Sequence, residues 1–166
     1  MKDNKRFVKY LDKIREGLEL KVGEVSLSYS IAPERVLDLP KITDAKQVYD
    51  FIKPRWENDL SAIERFKVLF ANNTNRIIAW YDLSKGTEVG TTVSVRSIIM
   101  MCTNILTCSG VFLCHNHPSQ NIQPSQQDIK LTHQIKDALK LVDMTLIDHL
   151  IINEENFYSF ANEGML

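Results

Sequence analysis

The chain has 166 residues, of which 44% are hydrophobic, and a formal net charge of −1. This length and composition predict one hydrophobic core rather than two. The near-neutral charge provides no overall positive field that would gather nucleic acid. The sequence has neither a basic and apolar leader nor a run of roughly eighteen apolar residues, so we expect a cytoplasmic protein that does not enter a membrane.

Residues 1–42 are predicted to form an N-terminal extension made of a helix and a strand. Apolar residues recur at helical spacing early in this segment, and Val25–Ile31 alternates apolar and polar residues as a half-buried strand does. That strand could pair within the domain or with a neighbouring chain. Basic residues outnumber acids in Met1–Arg15, a pattern that fits a solvated helix face more often than a nucleic-acid patch.

Residues 43–166 are predicted to form the main domain. Thr43 is a plausible N-cap for a first helix that Pro54 should end or kink. The apolar runs FKVLFA and RIIAWY flank NNTN, which predicts a β-hairpin because asparagine tolerates turn conformations. A loop over Gly86–Thr92 then leads to a helix that begins near Ser94.

The second half of this domain continues with a short apolar run, GVFLC, which is typical of a strand buried on both faces. Another helix is indicated by Leu131, Ile135, Leu139 and Val142, and TLIDHLII and NFYSF predict two closing strands. The order of hairpins and single helices predicts an α/β (α+β) fold with a mixed central sheet and helices packed on it.

Two histidines, His115 and His117, stand where the strand GVFLC ends. Residues at i and i+2 of an extended chain point to the same side, so both imidazoles can reach one metal ion. Cys114 then points to the opposite face. Its spacing from Cys102 and Cys108 matches no metal motif, and we expect three buried free thiols.

Asp128 is placed to supply a third ligand from the first turn of the next helix. Two histidines and a carboxylate are the ligand set of a catalytic zinc site with one open position. Ser125 offers a hydroxyl beside such an ion. The same Ser125-x-x-Asp128 pattern is also a capping box, which needs no metal, and both interpretations stand at this point.

The stretch HNHPSQNIQPSQQD resembles the signature of JAMM/MPN metalloproteases: His-x-His-Pro, then Ser-x-x-Asp after seven residues that follow the second histidine. Its sequence is most similar to that of the bacterial RadC-like branch. The resemblance extends from about Thr43 to Phe160. It implies a cytidine-deaminase-like sandwich, with Zn²⁺ held by His115, His117 and Asp128, and Ser125 stabilising an oxyanion.

The resemblance also implies a general base from an early strand, and Glu64 stands at that position. Two departures from the family pattern are visible. Gln120 and Asn121 occupy positions where RadC-like sequences usually have glycine and an acid, so the loop shape is expected to change. Residues 1–42 also show no helix-hairpin-helix module of the kind that accompanies full-length relatives and is associated with DNA.

Asp148 and His149 match the family element DHLI. Because neighbouring strand residues alternate in direction, at most one of them faces the site. A histidine on such a strand is more often a core residue than a metal ligand. His149 is therefore only a candidate partner that orients a ligand from behind.

Three classes of function follow from these observations. The first is a zinc hydrolase that cleaves a peptide or isopeptide amide bond, with a peptide or protein as its substrate. The second is a DNA-repair-associated protein that binds or cleaves nucleic acid, for which the basic N-terminal segment is the only support. The third is a non-catalytic MPN scaffold. The sequence predicts neither the substrate nor the oligomeric state.

Overall fold

The computed structural model describes residues 37–56, 60–85, 93–105 and 107–166 of the chain. The predicted N-terminal helix, the strand at Val25–Ile31 and the loop at Gly86–Thr92 lie outside these residues. The described part contains three α-helices and five strands in this order: α1 (Ala45–Ile52), β1 (Arg65–Ala71), β2 (Ile77–Lys85), α2 (Val95–Asn104), β3 (Gly110–Asn116), α3 (Gln126–Lys140), β4 (Thr145–Ile152) and β5 (Phe157–Ser159). A 3-10 turn, Lys53–Arg55, follows α1 directly.

The five strands form one sheet in the order β2-β1-β3-β4-β5. β1 pairs antiparallel with both β2 and β3, while β3 and β4 are parallel and are joined through α3. β5 returns antiparallel beside β4. β3 is the central strand and all seven of its residues are buried, as the apolar run GVFLC predicted. Because β3 and β4 are parallel, their carboxyl ends lie side by side at one edge of the sheet.

Helices cover both faces of this sheet. On one face, Val48 and Ile52 of α1 pack against Leu69, Cys114 and Leu150. On the other face, α2 and α3 pack through Ile98, Ile135 and Leu139 against Val68 and Leu113. Successive strand residues thus alternate between two apolar layers, which is the pattern of a sheet buried on both sides. The predicted fold class, a mixed sheet with helices packed on it, is confirmed.

Most predicted elements of the main domain are confirmed, and one helix boundary is corrected. The NNTN hairpin forms, with Asn75 in the left-handed conformation at φ 58°. Ser94 is the N-cap of α2, as predicted. Thr43 is not the N-cap of α1, because the Asp44 side chain accepts the Gln47 N–H at 2.9 Å. Asp44 stands three residues before that donor, which is the spacing that a capping side chain requires.

Residues 39–42 lie against the β1–β2 turn, on the N-terminal side of the predicted domain boundary. Lys41 forms a β-bridge with Arg76, and the Ile42 N–H donates to the Asn75 carbonyl at 2.9 Å. Ile42 is only 4% exposed and belongs to the core cluster around α1. Ile42 therefore packs as part of the same core as α1.

Lys67 is a charged residue inside the apolar run of β1, and its side chain is completely buried. It is paired with Asp82 of the neighbouring strand. Its ammonium group lies 5.1 Å from the ring centroid of Trp56 and 4.7 Å from that of Trp80. A buried ammonium needs such compensation, because desolvation of an unpaired charge costs several kcal/mol. This cluster lies on the α1 face of the sheet.

Candidate metal centre

The end of β3 carries the two histidines of the motif. His115 is the sixth residue of the strand and is 1% exposed, while His117 follows directly after the strand and is partly exposed. The Nε2 atoms of the two rings are 3.0 Å apart. Cys114 packs on the opposite face with α1, as the alternation predicted, and all three cysteines are buried and reduced.

Asp128 comes from the first turn of α3 and faces both histidines. Its Oδ1 atom lies 3.2 Å from His115 Nε2, and its Oδ2 atom lies 3.3 Å from His117 Nε2. The capping box also forms: Ser125 Oγ accepts the Asp128 N–H at 3.2 Å, and the Ser125 N–H donates to Asp128 Oδ2 at 2.7 Å. The two interpretations of Ser-x-x-Asp are therefore compatible, because the cap fixes the carboxylate beside the imidazoles.

His117 is held by the loop that follows it. Its Nδ1 atom lies 2.7 Å from the Asn121 carbonyl oxygen. A carbonyl can only accept, so Nδ1 carries the proton and donates. In the neutral ring, Nε2 then presents its lone pair toward His115 and Asp128.

His115 is hydrogen-bonded to His149 of β4 through the ring nitrogen that faces away from Asp128. A chain of hydrogen bonds determines which nitrogen of each ring carries the proton. Thr132 Oγ1 donates its only proton to the Asp128 carbonyl at 2.6 Å. It must therefore accept from His149 Nδ1, which lies 2.7 Å away. Neutral His149 then accepts at Nε2 from His115 Nδ1, at 2.8 Å. In neutral His115, Nε2 is left with its lone pair facing the cluster.

The donor atoms of His115, His117 and Asp128 lie close enough together to hold one zinc ion, each residue offering one ligand atom within 4.8 Å of the others. Two nitrogen lone pairs and a carboxylate converge, and a cation or a proton is needed to relieve their mutual repulsion. Ligands at 2.0 to 2.1 Å from a tetrahedral zinc lie about 3.3 Å from one another. The two Nε2 atoms are 3.0 Å apart, and each lies 3.2 to 3.3 Å from a different oxygen of the Asp128 carboxylate. These three are the group of ligating side chains that the described residues bring together.

The pKa values of the metal-free cluster describe the alternative state, in which protons on the imidazoles take the place of the cation and the rings donate to Asp128. Burial disfavours the Asp128 carboxylate, but hydrogen bonds to His115 and His117 outweigh that effect and hold its pKa far below the ordinary value. The bond to Asp128 raises the pKa of His117 above its usual range, against the effect of burial. Burial, with the charge of His115, holds the pKa of His149 well below the usual range. His149 is therefore neutral, as its role of acceptor requires.

Glu64 lies one residue before β1, at the same edge of the sheet. Phe66 is opposite His115 in the register of β1 and β3, so Glu64 falls opposite His117 when that register is continued by two residues. Phe66 stacks on the His115 ring with centroids 5.7 Å apart, and i and i−2 share a face in extended chain. The Glu64 charge also contributes to the raised pKa of His117.

One residue of the loop between the histidines and α3, Gln120, has a backbone conformation that favours glycine. It adopts φ 61°, so the angles that the sequence argument reserved for glycine are adopted here by glutamine. Its carbonyl accepts from Asn153 Nδ2 at 2.9 Å, and its side-chain Oε1 atom accepts from the Glu154 N–H at 3.4 Å. These contacts with the β4–β5 turn help a non-glycine residue to hold a costly conformation.

Asp148 and His149 point to opposite faces, as predicted. The buried Asp148 carboxylate accepts from Ser159 Oγ at 2.6 Å and from the Ala161 N–H at 2.9 Å. The prediction from sequence missed Thr132 and the Asn121 carbonyl. Thr132 stands four residues after Asp128, hence on the same side of α3, and it interrupts the apolar pattern of a buried helix face. That buried polar residue was the available signal.

A mixed sheet between helices, with two histidines at the end of a central strand and an aspartate opening the next helix, is the architecture of JAB/MPN domains. A family model described as "RadC-like JAB domain" matches residues 42–165. The chain therefore belongs to the RadC-like JAB family.

Named relatives support the same membership. The chain is 42% identical over 144 residues to a UPF0758 protein of Flavobacterium johnsoniae, which covers 87% of this chain and 62% of that protein. It is 37% identical over 146 residues to a UPF0758 protein of Porphyromonas gingivalis, covering 87% and 63%. The chain thus spans somewhat over six tenths of the length of these two relatives. Among the described helices, none is both long and apolar enough to cross a membrane.

Proposed function

We propose that this domain is a zinc-dependent hydrolase that cleaves a peptide or isopeptide amide bond. The observation that supports the proposal best is the convergence of His115 Nε2, His117 Nε2 and the Asp128 carboxylate, which lie close enough together to hold one metal ion. Bound zinc would polarise a substrate carbonyl and lower the pKa of a bound water toward about 7.

The protein residues supply the proton transfers. Glu64 takes a proton from the attacking water, whose oxygen bonds to the carbonyl carbon. When the carbon–nitrogen bond breaks, Glu64 returns that proton to the leaving amine, so the carboxylate is regenerated. The position of Glu64 opposite His117 supports this role, because the acid stands on the partly exposed side of the cluster.

Ser125 supports the oxyanion of the tetrahedral intermediate in this proposal. Its Oγ atom lies 2.6 Å from Asp128 Oδ2, and the hydroxyl has one proton, which is shared with that carboxylate. The hydroxyl therefore has to rotate from Asp128 toward the substrate oxygen in order to donate. Oxyanion stabilisation thus competes with Asp128 Oδ2 for the Ser125 proton, whereas the capping bond, in which Oγ accepts the Asp128 N–H, can remain.

The substrate approaches from the side of His117 and Asp128. The side chains of these two residues are 18% and 14% exposed, whereas that of His115 is 1% exposed. A protein or peptide that presents an amide at this opening is the substrate class we propose. The three buried, reduced cysteines are consistent with a reducing compartment, and we place the protein in the cytoplasm.

Metal analysis of the purified protein tests this proposal. The parent chain should contain about one zinc, and a His115→Ala/His117→Ala variant that remains folded should contain almost none. His133→Ala is the matched control, because His133 lies on α3 with an exposed ring bonded to the Met165 carbonyl at 3.3 Å. Equal and negligible zinc in the parent and the double variant, after zinc is offered at neutral pH, would refute the metal site.

Hydrolysis is then tested with zinc-loaded protein on peptide and isopeptide substrates. Cleavage by the parent that is lost in Glu64→Gln, with zinc retained, supports the proposed chemistry. Zinc without cleavage of any substrate would favour the scaffold alternative. Retention of DNA that weakens with salt, without amide cleavage, would favour the nucleic-acid alternative.

A further inference from the structure

Asn116, the residue between the two histidines, makes three hydrogen bonds to a single segment. Its Oδ1 atom accepts from the Arg65 N–H at 2.8 Å. Its Nδ2 group donates to the Leu60 carbonyl at 2.5 Å and to the Ile63 carbonyl at 2.9 Å. Asn116 is completely buried, and its bonds to Arg65 and Leu60 form away from water. Its carboxamide thus uses one acceptor and both donors on residues 60–65.

The segment that Asn116 holds carries Glu64. Residues 60–64 are a turn and bend before β1 rather than part of the sheet ladder. Two of the three bonded groups, the Ile63 carbonyl and the Arg65 N–H, belong to the residues on either side of Glu64. The backbone on both sides of this acid is therefore bonded to the residue that separates the two histidines.

We propose that Asn116 is a positioning residue that sets the Glu64 carboxylate relative to His115 and His117; this inference rests on the function proposed above. The requirement for one acceptor and two donors selects a carboxamide, because a carboxylate has no donor and a hydroxyl has only one. Since Asn116 is the last residue of β3 and lies between the two histidines, the acid and the candidate ligands have one rigid support. Asn116 acts through Glu64 and does not touch the substrate.

A second buried asparagine, Asn72, serves as the control for Asn116, because its role is purely structural. Asn72 is 7% exposed and stands at the other end of β1. Its Oδ1 atom accepts from the N–H groups of Thr74 and Arg76, each at 3.0 Å, and from Thr74 Oγ1 at 2.8 Å. It holds the β1–β2 turn, far from the histidines. Asn72→Ala therefore reproduces the loss of a buried asparagine clamp without affecting the candidate metal centre.

The experiment uses Co²⁺ in place of zinc and follows the visible cobalt spectrum against pH. We compare the parent with Asn116→Ala, Glu64→Gln, the double variant and Asn72→Ala, together with urea unfolding of each. Asn116→Ser is added in case Asn116→Ala does not fold, because serine leaves a smaller cavity than alanine and retains one hydrogen-bond donor. Cobalt bound per chain is measured for every variant, with His115→Ala/His117→Ala as the metal-free reference.

We expect Asn116→Ala to bind as much cobalt as the parent and to move the midpoint of the spectral transition in the direction seen for Glu64→Gln, by about half a pH unit or more. The double variant should show no larger shift than Glu64→Gln alone. Asn72→Ala should lose stability with an unchanged midpoint. If Glu64→Gln shifts the pH midpoint but Asn116→Ala and Asn116→Ser both keep the midpoint of the parent, the positioning role of Asn116 is overturned, while the proposed function is not. Failure of the parent to bind more cobalt than the reference overturns the proposed function.

Discussion

The Nδ1 atom of His115 lies 2.8 Å from the Nε2 atom of His149, and this contact joins the candidate metal centre to the core of the sheet. Every donor in the chain from His115 through His149 to Thr132 points the same way, because the chain ends on a carbonyl that can only accept. The Asp128 residue that supplies the candidate ligand also supplies this terminal carbonyl. The two ligands are thus coupled through α3 and β4.

Thr132→Val should weaken zinc binding although Thr132 does not contact the proposed ion. The substitution leaves His149 Nδ1–H without its acceptor in a buried position, which costs about 1 to 3 kcal/mol of stability. The orientation of His115 is then less well fixed, and zinc affinity should fall about 10-fold or more. Competition with a chromophoric chelator measures the affinity.

Thr103→Val is the control for this change. Thr103 lies on α2, and its hydroxyl also donates to a carbonyl one turn earlier, that of Ile99 at 2.9 Å, but it is exposed and far from the histidines. This variant should bind zinc as the parent does. Equal zinc affinity in the two valine variants would contradict the orienting role of the Thr132 chain.

Ser125→Ala and Asp128→Ala should separate capping from metal binding. Both changes remove part of the capping box of α3, so each should lower the free energy of unfolding by about 1 kcal/mol in the metal-free protein. Only Asp128→Ala removes a ligand atom. We therefore expect chelator-sensitive zinc to persist in Ser125→Ala and to disappear in Asp128→Ala. Loss of zinc in both variants would contradict this separation, because zinc binding would then depend on the capping bonds of Ser125 as well.

Gln120→Gly should be tolerated, whereas Gln120→Val should be destabilising. At φ 61°, glycine relieves backbone strain and loses only the long hydrogen bond from the Glu154 N–H. A β-branched residue is strongly disfavoured at this angle, and we expect Gln120→Val to cost about 1 to 3 kcal/mol. Chemical unfolding of the metal-free variants tests the order. A valine variant as stable as the glycine variant would show that the loop changes shape on substitution.

Asp148→Asn should change how stability depends on pH. Burial raises the pKa of Asp148, against hydrogen bonds from Ser159, Ala161 and His149. The folded state therefore holds this proton to higher pH than the unfolded chain, whose carboxyl titrates near pH 3.9, and the contribution of Asp148 to stability falls as pH rises through this window. The unfolding free energy of the parent minus that of the variant should decrease from about pH 4 upward. A difference that rises with pH would contradict the shift.

The fold could be predicted from sequence because periodicity and burial agree in most elements. The run GVFLC is buried on both faces in β3, and the NNTN turn joins β1 to β2. Lys67 was hidden from this reasoning, since a lysine in an apolar run is usually assigned to the solvent face. Its burial depends on Asp82, Trp56 and Trp80, which only the sheet register and α1 bring together.

The candidate site was predicted in part because its ligands are close in sequence. His115, His117 and Asp128 lie within fourteen residues and come from one strand–loop–helix unit, and the structure brings their donor atoms together. Their chemical roles remain predictions. Thr132 and His149 are seventeen residues apart and meet only because β4 lies parallel to β3 with α3 packed beside it. The spacing of residues in the sequence does not predict such a contact between distant residues.

The burial of Lys67 beside both tryptophans of the chain has a spectroscopic consequence. Trp56 and Trp80 lie within 5.1 Å and 4.7 Å of the same ammonium group, on the α1 face of the sheet. The histidines face the other side, with α2 and α3. Intrinsic fluorescence therefore reports how the α1 layer separates from the sheet, and it should change little when a metal ion is added to or removed from the folded protein.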